Sequence, residues 1–188
     1  IDLSQHFPKA DRFLLEIGFG RGEHLLHLAK TNPSAGVLGL EVHLPGLGAA
    51  VADLADGDLD NVKVMRGDGR LSLEDFLAGT LFDEIHVQFP DPWPKRRHHK
   101  RRLINPNNIN KFHRVLKKSG KILIASDHKG YIHSILLDFM YDNRFDWICD
   151  KSSDFTEKPF PSTQSKYEKK AIKNDQNPVY LTFKKICL

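Results

Sequence analysis

Phe13-Leu14-Leu15-Glu16-Ile17-Gly18-Phe19-Gly20-Arg21-Gly22 is the stretch that sets the fold. Five residues of strand length, four of them apolar, run straight into a turn of alternating glycines. A helix is expected over 23–30, with Leu25, Leu26, Leu28 and Ala29 on its buried side and a stop near Asn32-Pro33. The same unit then recurs along the chain. Strands are expected at 37–41, 62–65 and 83–89, with helices at 45–55 and 71–77 between them and Gly57 as a helix stop. Asn105-Pro106 supplies a capping side chain followed by Pro at the first helical turn. Ile109, Phe112, Val115 and Leu116 keep helical spacing, and Gly120 is expected to end that helix. A strand at 121–125, a helix marked by Ile132, Ile135, Leu136 and Phe139, and two closing strands at 145–149 and 179–183 complete the chain. The polar, Lys-rich segment 151–178 reads as a long functional loop.

Strand–helix alternation predicts a doubly wound α/β fold: an open, mostly parallel sheet with helices on both faces. Ligands of such sheets sit at the carboxyl ends of the strands, so the residues just after each strand are the candidates for function. With 188 residues, 40% of them apolar, the chain suits one domain with a full core, and neither a repeat nor a domain boundary is visible. No apolar run approaches the ~20 residues of a membrane span. Two distant cysteines, Cys149 and Cys187, indicate neither a disulfide framework nor a zinc ribbon, and a reducing, cytoplasmic setting is the default.

The net charge is +4, and it is concentrated. Lys95, Arg96, Arg97, His98, His99, Lys100, Arg101 and Arg102 form a basic octet, and without it 22 basic residues face 24 acidic ones. One intense basic spot on a nearly neutral chain suggests a docking site for a polyanion. His98-His99 has no Cys or carboxylate to complete a usual metal set, and no metal site is expected.

Three carboxylates follow three strands. Glu16 stands beside a glycine turn spaced G-x-G-x-G, not the G-x-G-x-x-G of a dinucleotide fingerprint. Gly18, Gly20 and Gly22 let a ligand approach the backbone closely. Glu16 would repel a pyrophosphate but suits a cationic ligand such as S-adenosyl-L-methionine, which carries a sulfonium, an ammonium and no phosphate. Glu41, 23 residues after Gly18, is placed to accept both ribose hydroxyls of an adenosine. Asp68, in Arg66-Gly67-Asp68-Gly69, could accept from an adenine amino group. After the fourth strand, Pro90-Asp91-Pro92-Trp93 forms a stiff turn that presents a carboxylate and an aromatic ring at the cleft, and the octet leads away from it. Arg96, Arg97, Lys100, Arg101 and Arg102 are expected to contact a phosphate backbone. From the residues alone, a methyltransferase acting on one or another nucleic acid or base atom, an NAD-dependent oxidoreductase and a non-catalytic RNA-binding module all stay open.

The glycine turn, Glu41-Val42-His43 and above all Pro90-Asp91-Pro92-Trp93-Pro94-Lys95-Arg96-Arg97-His98-His99-Lys100-Arg101-Arg102-Leu103 closely resemble the bacterial tRNA (guanine-N7-)-methyltransferase family. The resemblance runs from about Phe13 to Phe183. It implies a Rossmann-like class I methyltransferase domain with a seven-stranded sheet, S-adenosyl-L-methionine as cofactor and tRNA as partner. It also implies cofactor contacts at Glu16, Glu41, Asp68 and Asp91, with Asp91 as the catalytic residue. Substrate contacts are implied at Lys95, at Asp127 and at a T-x-[FY]-E motif, which here reads Ser165-Lys166-Tyr167-Glu168. The implied product is 7-methylguanosine in the tRNA variable loop, at the nucleotide numbered 46. The family carries an N-terminal extension before the first strand, and little of it is expected within these 188 residues.

Overall fold

The computed structural model describes residues 1–57, 59–75, 77, 79–159 and 177–186. After a short helix α1 (Leu3–His6), strands and helices alternate: β1 (Arg12–Ile17), α2 (Glu23–Thr31), β2 (Ala35–Glu41), α3 (Leu44–Asp56), β3 (Val62–Arg66), α4 (Gly69–Asp75) and β4 (Phe82–Gln88). A 3-10 helix (Arg96–Arg101) leads to α5 (Pro106–Val115), β5 (Leu116–Ser126), α6 (Lys129–Met140), β6 (Phe145–Trp147), α7 (Ser153–Thr156) and β7 (Val179–Lys185). The strands form one seven-stranded sheet in the order β3-β2-β1-β4-β5-β7-β6. Pairing is parallel from β3 through β5, while β7 runs antiparallel to both β5 and β6.

Alternation along β1 divides the core between the two faces of the sheet. Leu14 packs with Leu25, Leu28 and Ala50, under α2 and α3. Leu15 and Ile17 pack with Phe112, Ile135 and Phe139, under α5 and α6. Every residue of β2 is buried, as a central parallel strand covered on both sides requires. The sheet order reverses between β1 and β4, which opens a crevice beyond their carboxyl ends.

The start of α5 is as expected: Asn105 accepts the Asn108 N–H and Pro106 occupies the first turn. Its end is not. The helix stops at Val115, and Leu116 already pairs with Phe82 in β5. The ladder then shifts register between Phe82 and Glu84, with Ser119 at φ 61°. Gly120 therefore serves the irregular beginning of a strand rather than a helix stop, since a Cβ there would come within 3.2 Å of the Asp83 carbonyl. The segment expected as a loop over 151–178 opens with α7, and its residues 160–176 lie outside the described residues.

Gly22, at φ 90°, forms the N-cap of α2, and an added Cβ would stand 3.0 Å from the Ala50 Cβ. Gly48, inside α3, has open space instead. Urea denaturation should show Gly22→Ala destabilised by about 1–2 kcal/mol or more and Gly48→Ala stabilised by about 0.5–1 kcal/mol.

Candidate active site

The glycine turn leaves β1 with Gly18 and Gly20 at φ 77° and 60°, a conformation costly for any residue with a side chain. Glu41, at the end of β2, fastens the turn. Its Oε2 accepts the Gly20 N–H at 2.7 Å, and its Oε1 accepts those of Val42 and His43 at 2.7 and 2.8 Å. Three donors leave the carboxylate room for one more. Two ribose hydroxyls, as the sequence suggested, would require one backbone bond to give way.

Glu16 differs from Glu41 in having no such support. It is 1% exposed, and its Oε2 has no hydrogen-bond partner among the described residues. Burial pushes its carboxyl well above the usual carboxylate range, and the charges of Glu23 and Glu41 push the same way. It lines a pocket of about 250 Å³ with Gly18, Gly20, His24 and Gln88. Beside it, His24 and His86 approach to 3.3 Å between Nε2 and Nδ1, and Nε2 of His86 lies 3.1 Å from Glu84 Oε2. Burial, with His86 adding to it, holds His24 down at about 2, so its imidazole stays neutral.

Asp68 begins α4 with its carbonyl accepting the Leu71 and Ser72 N–H groups. Its side chain is held by Arg70, with Nη2 donating to Oδ2 at 2.5 Å and Nε to Oδ1 at 3.0 Å. That hydrogen bonding keeps the Asp68 carboxyl below its ordinary range. An adenine amino group would therefore compete with Arg70, a residue that sequence reasoning does not single out. The pattern Asp68-Gly69-Arg70 was the available signal.

A cleft of about 760 Å³ joins these features. Its lining includes Gly18, Gly20, Glu41, Asp68 and Arg70 on one side and Asp91, Trp93 and Arg101 on the other. It also shares Gly18, Gly20, His43 and Gln88 with the pocket of Glu16. Gly22 lines neither space. Asp91 sits on a turn flanked by two non-glycine residues with positive φ, Phe89 at 50° and Trp93 at 41°. Each costs on the order of 1–2 kcal/mol, strain of the kind found at functional sites.

The octet does not lead away from the turn. It coils into the 3-10 helix and returns, so that Arg101 stacks on Trp93 at 5.0 Å while His98 meets the same ring edge-on at 5.7 Å. Lys95, Arg96, Arg97, Lys100 and Arg101 are exposed. Arg102 is not: it is 6% exposed and bonded internally, so its expected place among the phosphate contacts is corrected. Asp127 follows β5 at the same edge of the sheet, outside the lining of the cleft. Ser165, Lys166, Tyr167 and Glu168 lie outside the described residues. Among the described residues, no cluster of three or more His, Cys, Asp or Glu could hold a metal ion, and no helix is long and apolar enough to cross a membrane.

A family model described as "Putative methyltransferase" matches residues 10–181. Among solved structures, the antibiotic-resistance methyltransferase Kmr superimposes with a TM-score of 0.67 over 100% of this chain and 92% of its own, at 14% identity. The fold is that of the class I methyltransferases. The tRNA (guanine-N(7)-)-methyltransferase of Rhizobium etli is 40% identical over 174 residues, 92% of this chain and 74% of that protein. The enzyme of the same name from Rhodospirillum rubrum is 37% identical over 180 residues, 95% and 70% of the two chains. The chain belongs to the tRNA (guanine-N7-)-methyltransferase family.

The buried Glu16 carboxyl has a consequence for stability. An unfolded chain loses this proton in the ordinary carboxylate range, whereas the folded chain keeps it to higher pH. Stability should therefore fall as pH rises out of that range, levelling off above the folded value. Glu16→Gln should remove the fall and be more stable than the parent at neutral pH, read by urea denaturation at pH 5 and pH 8.

Proposed function

We propose that this chain transfers a methyl group from S-adenosylmethionine to N7 of a guanine in tRNA, giving 7-methylguanosine at the variable-loop nucleotide numbered 46. The observation that carries this reading is the single cleft shared by the carboxylate-bordered glycine turn and the Trp93–Arg101 rim of the basic helix. The activity named for the relatives agrees with it. A tRNA substrate implies a cytoplasmic enzyme.

The residues fit a doubly cationic cofactor. A buried carboxyl oxygen without a partner among the described residues suits an ammonium or sulfonium charge and offers nothing to a pyrophosphate. Glu16, Glu41, Asp68 and the turn of Gly18 and Gly20 would hold the cofactor, which supplies an electrophilic methyl carbon when bound. Burial raises the proton affinity of Glu16, and a cation bound beside it would lower that affinity again.

Guanine N7 has a lone pair and no proton, so attack on the methyl carbon needs no general base. The protein's task is to bring N7 into line with that carbon and to exclude water. Trp93 offers a face on which an unstacked base can lie. Asp91, in the same cleft, stabilises the positive charge that spreads over the purine imidazole ring during transfer. Lys95, Arg96, Arg97, Lys100 and Arg101 hold the phosphate backbone, while Asp127 and Glu168 are the acceptors proposed for guanine N1–H and its amino group.

Labelled cofactor incubated with a tRNA transcript should yield 7-methylguanosine by mass spectrometry. A transcript lacking the variable-loop guanosine should stay unlabelled; equal labelling of both would overturn the assignment. Asp91→Ala should lower kcat by about 100- to 1,000-fold with tRNA affinity retained. Replacing Lys95, Arg96, Arg97 and Lys100 by Glu should flatten the salt dependence of tRNA binding by about 0.7–0.9 in log–log slope for each phosphate no longer neutralised.

A further inference from the structure

Three prolines leave the turn that carries Asp91 short of hydrogen-bond donors. Pro90, Pro92 and Pro94 have no N–H, so the segment 90–94 cannot brace itself as an ordinary turn does. Phe89, just before it, is anchored by its N–H to the Ala125 carbonyl at 2.9 Å. Beyond that anchor the chain passes through two positive-φ residues, and only one hydrogen bond reaches residues 90–94 among the described residues: Arg102 Nε donates to the Pro92 carbonyl at 2.8 Å.

Arg102 is itself fixed. Its Nη1 donates to Ser134 Oγ at 2.8 Å, its guanidinium lies 4.7 Å from the centre of the Tyr131 ring, and its N–H donates to the His99 carbonyl at 3.0 Å. Tyr131 and Ser134 belong to α6, which is buried against the sheet, and the Tyr131 hydroxyl accepts the Ile104 N–H at 2.9 Å. One residue thus bridges the Asp91 turn and α6 through its side chain and the end of the basic 3-10 helix through its backbone. A planar guanidinium can donate to Pro92 and Ser134 at once from a fixed fork, which an ammonium cannot reproduce.

We propose that Arg102 is a positioning residue for methyl transfer: it holds the Asp91–Trp93 turn in register with the RNA-binding helix and contacts no phosphate. The proposal rests on the reading of Asp91 given above.

The test compares Arg102→Lys and Ser134→Ala with the parent and with Asp91→Ala, measuring kcat, KM for tRNA, the salt slope of tRNA binding and the affinity for S-adenosylmethionine. Arg102→Lys should lose about 10- to 100-fold in kcat, with KM, salt slope and cofactor affinity unchanged, and Ser134→Ala should show a smaller loss of the same kind. In a Trp147→Phe background, Trp93 fluorescence should become more accessible to quencher in Arg102→Lys. A lower salt slope or raised KM with kcat intact would make Arg102 a phosphate contact and overturn the proposal. Loss of cofactor affinity together with thermal stability would make it merely structural, with the same consequence. If the parent forms no 7-methylguanosine, the functional reading fails instead. If the parent forms it and Arg102→Lys keeps full kcat, only the positioning role fails.

Discussion

A buried carboxyl group with no partner for its charge among the described residues stands at the C-terminal edge of this sheet. Glu16 points from the end of β1 into a pocket, with Glu23 and Glu41 near enough to raise its proton affinity further. Leaving an ionised carboxylate in such a place is costly, so the group holds its proton to higher pH than an exposed carboxyl does. Glu41 solves the same problem differently, committing its acceptors to three backbone N–H groups. Asp68 solves it with Arg70. Three acids at three adjacent strand ends thus stand in three states: one buried carboxyl with its proton affinity raised, one brace for the glycine turn and one ion pair.

The second constraint is the proline-rich turn after β4. Its strained ends and missing donors mean that its shape is imposed from outside, by β5 through Phe89 and by α6 through Arg102. Arg102 caps the 3-10 helix with its backbone and bonds the turn with its side chain, so one residue ties the basic helix to the acidic cleft. The acidic cleft and the exposed basic helix are then adjacent for a mechanical reason and not only an electrostatic one.

Much of this was legible in the sequence. The strands and their order of appearance followed from apolar runs punctuated by glycine, and Glu16, Glu41, Asp68 and Asp91 were found because ligands of such sheets gather at strand ends. The Asn105-Pro106 helix start was equally clear. What escaped notice depended on three-dimensional pairing. Six cationic side chains in eight positions look alike on paper, and nothing local marks Arg102 as the one turned inward. His24 and His86, 62 residues apart, meet only in the folded chain, one on α2 and the other on β4. Gly120 resembled a helix stop, but the chain had already joined β5 in a bulge whose geometry is set by Asp83 across the sheet.

The most direct measurement is a count of protons. Calorimetric titration of S-adenosylmethionine at neutral pH, repeated in buffers of different ionisation enthalpy, reports how many protons leave the protein on binding. Proton release on binding, abolished in Glu16→Gln, is the expected result. Binding without proton release, or with release unchanged in that variant, would contradict a site for positive charge at Glu16.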